Sequence, residues 1–146
     1  MPMKKKQGFT LVELLVVIAI IGLLSTLAVV ALGTARTKSR DAKRVADIKQ
    51  VQTALELFYT DNNAYPTATS TVLGQAGALC LGSSGFGATG CANPYMSLVP
   101  KNPSPGGAAY TYDSADGTTY ATTFTLEGAT GQLAAGAHTA KPGGIE

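Results

Sequence analysis

The feature that most constrains this chain is an uninterrupted apolar segment near its N-terminus. No charged residue occurs from Leu14 to Leu32. As an α-helix this segment is about 28 Å long, which matches a bilayer hydrocarbon core of roughly 30 Å. A helix satisfies its backbone hydrogen bonds internally, as lipid requires. The segment therefore predicts a single transmembrane helix.

A short basic leader precedes this segment, and one glutamate stands at its start. Lys4, Lys5 and Lys6 lie among the first eight residues. The apolar stretch is longer than the core of a secretory signal, and no small-residue cleavage site stands out before the amphipathic helix. A carboxylate inside a bilayer costs about 2.5–3.5 kcal/mol or more. Glu13 is therefore expected either to reach water at the interface or to pair with a cation of another molecule.

The net charge of the chain gives no reason to expect a nucleic-acid partner. The formal charge is +2, and it becomes about −1 without the leader, because three of its cations are the leader lysines. A basic stretch follows the apolar segment, and it is interpreted as a solvated or subunit-contacting face with intrahelical pairs such as Lys43 with Asp47. A DNA-binding stripe is the alternative. The stretch consists of Arg36, Lys38, Arg40, Lys43, Arg44 and Lys49.

The polar half of the N-terminal region has the periodicity of an amphipathic helix. Apolar residues recur every three or four positions, which is one face of an α-helix. The opposite face is expected to carry Asp47, Gln50, Thr53 and Glu56. Asn62 and Asn63 before Pro66 predict the helix end, since Asn tolerates a left-handed cap and Pro stops continuation. The apolar face comprises Val45, Ile48, Val51, Leu55 and Phe58.

The remainder of the chain predicts a small antiparallel sheet. Residues 65–105 are rich in Gly, Ser, Thr and Pro and are expected to be loops. Tyr110 and Tyr112 alternate in a first strand, and Asp116-Gly117 is a hairpin turn signal. A second strand is expected over 118–127, with Tyr120, Phe124 and Leu126 on one face, and a third over 132–137. The predicted fold class is α+β, with the long helix packed on an antiparallel sheet.

Few residues are candidates for chemistry. Cys80 and Cys91 bracket a Gly-rich loop, and either a disulfide or two thiols fit this spacing; a disulfide would stabilise the fold by on the order of 3 kcal/mol. The two cysteines with His138 fall short of the four ligands usual for zinc. His138 is expected at the surface. We therefore expect a protein that is not an enzyme.

The N-terminal residues resemble the type IV prepilin signature. Gly8-Phe9-Thr10-Leu11-Val12-Glu13 follows a lysine-rich leader and precedes an unbroken apolar helix. The resemblance implies cleavage by a prepilin peptidase between Gly8 and Phe9, and N-methylation of Phe9. It implies that Glu13 neutralises the N-terminal ammonium of a neighbouring subunit. One departure is that no proline occurs between Pro2 and Pro66, whereas many members of the family carry one within this helix.

The C-terminal part of the chain is also similar to that of the type II secretion pseudopilins. The similarity lies in residues 98–103, followed by Tyr110 and Tyr112. Major pseudopilins of that kind can bind calcium in a loop near the sheet, which would make Asp113 and Asp116 candidate calcium ligands. Both aspartates are also ordinary turn residues, so the expected cofactor is none or, at most, calcium.

The resemblance implies a structural subunit of a type IV pilus, or alternatively a major pseudopilin of a type II secretion or competence pseudopilus. A membrane-anchored binding domain that never polymerises is a third possibility. The implied partners are further copies of the chain, the peptidase, a membrane assembly platform and, before assembly, lipid. The implied location is a single-pass precursor in the cytoplasmic membrane and then an extracellular or periplasmic filament. The predicted segments are a cleaved leader over 1–8, an assembly helix over 9–33, an amphipathic helix over 34–64, a loop region over 65–107, a β-meander over 108–138 and a flexible tail over 139–146.

Overall fold

The computed structural model describes residues 8–146, and it contains one long helix and seven short strands. Two compact units make up the chain, Met1–Arg36 and Thr37–Glu146, and the helix contributes to both. The second unit is called the head below. The helix α1 spans Leu11–Asn62. The strands are β1 Ala68–Val72, β2 Cys80–Gly82, β3 Gly85–Gly87, β4 Thr111–Ser114, β5 Ala121–Leu126, β6 Gly136–Lys141 and β7 Gly144–Ile145.

The C-terminal end of α1 is formed by asparagines, as predicted. Asn63 follows the last helical residue with φ of 51°, and its N–H donates to the carbonyl of Tyr59 at 2.8 Å. The side chain of Asn62 donates to the carbonyl of Phe58 at 2.9 Å. These bonds satisfy carbonyls that the end of a helix leaves without intrahelical donors.

The head contains a five-stranded antiparallel sheet in the order β1-β4-β5-β6-β7, and β2 and β3 form a separate hairpin. The turn at Asp116-Gly117 connects β4 and β5, as the sequence predicted, and Gly117 has φ of 75°. In β5 the burial alternates, with Thr122, Phe124 and Leu126 turned inward. This period of two is that of a strand with one buried face.

The core of the head lies between the apolar face of α1 and the sheet. The predicted helical stripe is confirmed, because Ile48, Val51, Leu55 and Phe58 are all buried and Val45 is partly buried. They belong to one cluster with side chains of the sheet and the loops. The largest of those partners are Tyr65, Leu73, Leu81, Tyr110, Tyr112, Tyr120, Phe124 and Leu126.

Three predictions about the sheet are wrong. The third strand of the meander occupies Gly136–Lys141 rather than 132–137. The region expected to be loop contributes β1, which pairs with β4 at the edge of the sheet. The tail over 139–146, expected to be flexible, ends β6 and forms β7, and Thr139 and Glu146 exchange two backbone hydrogen bonds of 2.9 and 3.0 Å. These strands are short and polar, so no apolar alternation marks them in the sequence.

One prediction about the helix surface is also wrong. Asp47, expected on the solvent face of α1, is only 5% exposed. It accepts a hydrogen bond from the hydroxyl of Tyr110 at 3.2 Å. The predicted pair with Lys43 is present at 3.5 Å. The cost of burying the carboxylate of Asp47 is offset because it has both a hydrogen-bond donor and a cation beside it.

Candidate functional site

The N-terminal part of α1 is the first candidate site, since its apolar side chains are exposed. This part of α1 is long and apolar enough to cross a membrane, and none of that stretch is buried. The large apolar side chains from Phe9 to Leu32 are 45% to 84% exposed. Scattered apolar residues are normal on protein surfaces, whereas a continuous apolar surface marks contact with lipid or protein.

Glu13 lies in the first turn of α1, where it forms a capping box with Thr10. The carboxylate of Glu13 accepts hydrogen bonds from the backbone N–H of Thr10 at 2.8 Å and from its hydroxyl at 2.7 Å. The backbone N–H of Glu13 donates to the Thr10 hydroxyl at 3.2 Å. This reciprocal arrangement satisfies donors that the helix start would otherwise leave unpaired. The spacing Thr-x-x-Glu in the sequence is the signal from which this capping box could have been predicted.

The predicted cleavage site lies directly before this turn. Gly8, Phe9 and Thr10 precede the first helical residue, Leu11, and Phe9 is 84% exposed. The rest of the predicted leader lies outside the described residues. The roles assigned to Gly8, Phe9 and Glu13 stay predictions.

The disulfide expected between Cys80 and Cys91 is present, and it braces the hairpin of β2 and β3. Two glycines make room for it. A Cβ at Gly82 would lie 2.7 Å from the Cβ of Cys91, and one at Gly87 would lie 2.9 Å from its Sγ. The cross-link therefore depends on glycine at both positions.

The aspartates proposed as calcium ligands are engaged in local hydrogen bonds. Asp113 accepts the N–H of Ser70 at 2.6 Å, and Asp116 accepts the N–H and hydroxyl of Thr118 at 3.0 and 2.8 Å. Both line a surface depression that Lys141 also lines. Among residues 8–146, no group of three or more acidic, His or Cys side chains could hold a metal ion. With two engaged carboxylates beside a lysine, these residues do not fit the six to eight oxygen ligands that Ca²⁺ takes.

His138 lies in β6 and not in an irregular terminus. Its Nε2 is 2.8 Å from the carbonyl oxygen of Ala134, its Nδ1 is 3.2 Å from the carbonyl oxygen of Glu146, and its ring packs against Phe124 at 5.5 Å between centroids. These contacts account for the histidine as a half-buried structural residue.

The main feature that sequence reasoning missed is a buried ionic cluster in the head. Arg44 and Asp41 have completely buried side chains and form a 2.6 Å ion pair. Glu127 joins them at 2.6 Å from Arg44 and pairs with Arg40 at 2.6 Å. Asp41 also accepts the backbone N–H groups of Glu127 and Gly128 at 3.0 and 2.8 Å. Hydrogen bonds from Arg40, the larger effect, and from Arg44 lower the pKa of Glu127 to about 2.

Comparison with known proteins gives consistent results over both parts of the chain. The description "Prokaryotic N-terminal methylation motif" matches residues 3–33. The description "Type II secretion system (T2SS), protein G" matches residues 31–141. No solved structure matches the chain.

Similar curated proteins include several bacterial relatives with the same name, "Type II secretion system core protein G". The one from Aeromonas hydrophila is 42% identical over 67 residues, which are 46% of this chain and 47% of the relative. The one from Escherichia coli K12 is 44% identical over 63 residues, 43% of each protein. The one from Vibrio cholerae is 40% identical over 65 residues, 44% of each. The chain spans about half the length of the curated relatives it matches. Because one family description covers most of its length, from Ala31 in α1 to the end of β6, the chain belongs to the type II secretion system protein G family.

Proposed function

We propose that this chain is the major pseudopilin of a type II secretion system, a membrane-anchored subunit that polymerises through the first part of α1. Membership of the protein G family supports this proposal over a type IV pilus subunit, which was the main function that the sequence predicted. The single observation that carries the polymerisation argument is the continuous exposed apolar surface that begins at Phe9 and ends at Leu32.

That surface needs two successive environments. Before assembly, lipid covers it, since the uncharged segment from Leu14 to Leu32 fits a bilayer core. After assembly, the same residues of neighbouring subunits cover it, and repeated head-to-tail contacts of one kind produce an open helical polymer. The head keeps its own core, made of residues from Ile48 onward, and therefore stays folded in both environments.

Processing supplies the charge that assembly uses. In this proposal, cleavage between Gly8 and Phe9 leaves an ammonium group at Phe9, which is then N-methylated; the matching methylation motif supports this processing. An ammonium and a carboxylate that pair remove much of the cost of burying either one. In this proposal the ammonium of one subunit approaches Glu13 of its neighbour and competes with Thr10, which holds that carboxylate at 2.7–2.8 Å within the chain.

The proposal places the chain in the cytoplasmic membrane, with the leader on the cytoplasmic side and the head outside. Its partners are other copies of the chain, a prepilin peptidase that removes residues 1–8 and a membrane assembly platform. The role is structural, and we assign no reaction to the chain. The disulfide between Cys80 and Cys91 agrees with a head in an oxidising compartment.

The experiment that tests this proposal is intact-mass and N-terminal peptide analysis of the chain from membranes and from sheared fibres of its native cells. A chain that begins with N-methylated Phe9 and remains with the cell envelope is the expected result. The same chain in abundant extracellular fibres would instead support a type IV pilus. A chain that retains residues 1–8 would contradict the proposal and leave an anchored domain that does not polymerise.

A pair of glutamate variants tests the assembly step separately. Glu13→Gln keeps the size of the side chain and removes its charge, and it should abolish cross-linked multimers while leaving cleavage intact. Glu146→Gln is the matched control, because Glu146 is exposed on the head and pairs only with Lys141 among the ion pairs of residues 8–146. Normal multimers of the Glu13→Gln protein would contradict the pairing of Glu13 with Phe9.

A further inference from the structure

The interior of the head contains a guanidinium group surrounded by oxygen atoms. The side chain of Arg44 is completely buried. Its Nε donates to Oδ1 of Asn102 at 2.7 Å. Its Nη1 donates to Oδ1 of Asp41 and to Oε1 of Glu127, both at 2.6 Å. Two carboxylates and an amide thus face one side of the group.

Backbone carbonyls close the other side. Nη2 of Arg44 donates to the carbonyl oxygens of Gly106 at 2.6 Å, Pro103 at 3.1 Å and, more weakly, Pro105 at 3.4 Å. A guanidinium has five N–H donors in a rigid planar arrangement, and here every nitrogen has an acceptor. The acceptors come from α1, from the loop over 102–107 and from the end of β5, so one side chain joins three parts of the head.

The loop that supplies these oxygen atoms also has contacts and backbone conformations of its own that fix its shape. Asn102 donates from its Nδ2 to the carbonyl of Gly106 at 2.8 Å. Gly106 and Gly107 have φ of 85° and 71°, which L side chains rarely adopt. A Cβ at Gly107 would lie 3.0 Å from the guanidinium carbon. The loop is therefore shaped to bring its carbonyls close to the cation.

The charges around the cluster balance without any added ion. Arg44 and Arg40 carry two positive charges, and Asp41 and Glu127 carry two negative charges. An additional divalent cation would find no uncompensated carboxylate here. The aspartates near the β4–β5 turn do not provide another site, since Asp113 and Asp116 are only two in number and both accept local hydrogen bonds.

Loop carbonyls and carboxylates that converge on one point are the ligand type of a Ca²⁺ site. In this head they converge on a guanidinium. We propose that Arg44 is the internal cation of the head. It binds the carboxylates and loop carbonyls as a divalent cation binds them in an oxygen-lined loop site, so that the head folds and stays folded without calcium. This goes beyond the proposed function, because it holds whether or not the chain polymerises.

The first test measures thermal unfolding of the full chain in detergent micelles by near-ultraviolet circular dichroism. We expect the same midpoint temperature in EDTA and in millimolar CaCl₂, and no calcium in the purified protein by elemental analysis. A midpoint that rises with calcium concentration, or stoichiometric calcium retained through purification, would overturn the proposal.

The second test replaces the cation itself. Arg44→Met keeps most of the side-chain volume but leaves Asp41 and Glu127 without their shared partner, and it should lower the midpoint by on the order of 10 °C. Arg44→Lys keeps the charge but offers three donors from one atom, so an intermediate midpoint is expected. Lys49→Met, on the exposed side of the same helix, is the matched control. An Arg44→Met midpoint equal to that of Lys49→Met would overturn the proposal, and Arg44→Lys preserves the comparison if Arg44→Met does not fold.

Discussion

Two leucines in the same turn of α1 allow a strict test of how the helix packs on the sheet. Leu55 is completely buried in the core of the head, whereas Leu57 is 52% exposed. Both have the same size and lie near the C-terminal end of the same helix, which ends at Asn62. Replacing each with alanine changes the intrinsic helix preference equally, so any difference between the two variants reports tertiary packing.

The expected difference follows from the burial. Leu55→Ala removes a side chain surrounded by the cluster that includes Val51, Phe58 and Tyr110, and such changes cost about 3 kcal/mol through lost burial and the cavity that remains. For a domain the size of the head this corresponds to a decrease of about 12 °C in midpoint temperature. Leu57→Ala should cost less than about 0.5 kcal/mol, as surface substitutions usually do.

The assay is thermal and urea unfolding of each full-length variant in detergent micelles. Near-ultraviolet circular dichroism reports the head selectively, because all 6 tyrosines of the chain occur from Tyr59 onward. Equal losses for the two variants, or a greater loss for Leu57→Ala, would refute the packing of α1 on the sheet. The exposure of Leu57 is that of the single chain, so the measurement is made on detergent-solubilised monomer.

Three further predictions concern the head. Glu127 has a pKa lowered from 4.5 to about 2 by Arg40 and Arg44, so its contribution to the stability of the head is complete above pH 4.5 and is lost as the pH falls towards 2. The variant Glu127→Gln should therefore flatten the fall of the unfolding midpoint in this range. An unchanged pH dependence would contradict the ion pairs. Replacing Cys80 and Cys91 with alanine should cost about 3 kcal/mol in urea unfolding, given a sequence separation of 11 residues, whereas equal stability of the oxidised and reduced wild-type chains would refute this. Gly117→Ala should lower the free energy of unfolding by about 1–2 kcal/mol, because Gly117 has φ of 75° and an added Cβ would lie 3.0 Å from the carbonyl oxygen of Tyr65. A variant as stable as the wild type in urea would argue against this turn.

Features that depend on neighbours in the sequence were predicted well. The apolar run, the helical stripe from Val45 to Phe58 and the Asn63 cap all arise from local periodicity or from the preference of one residue. The Asp116-Gly117 turn belongs to the same group, since glycine permits the positive φ that the turn requires. The family resemblance of the first 33 residues was equally accessible, because its residues are contiguous.

Features that depend on distant pairing were missed. β1 reads Ala-Thr-Ser-Thr-Val and carries no alternating apolar signal, and it becomes a strand because β4 supplies its hydrogen bonds. The last residues form β7 for the same reason, against β6. A strand at the edge of a sheet can be short and polar, so its identity is set by the partner strand.

The charged residues of α1 show the division most clearly. By itself the sequence determined that residues 41–47 are helical and that four of them, Asp41, Lys43, Arg44 and Asp47, carry charge. Only the tertiary structure decided that Lys43 stays exposed while Arg44 is buried, since the acceptors of Arg44 other than Asp41 lie 58 to 83 residues away along the chain. A charge enters a protein interior only where oppositely charged and polar groups replace its water, and those groups are assembled by the fold.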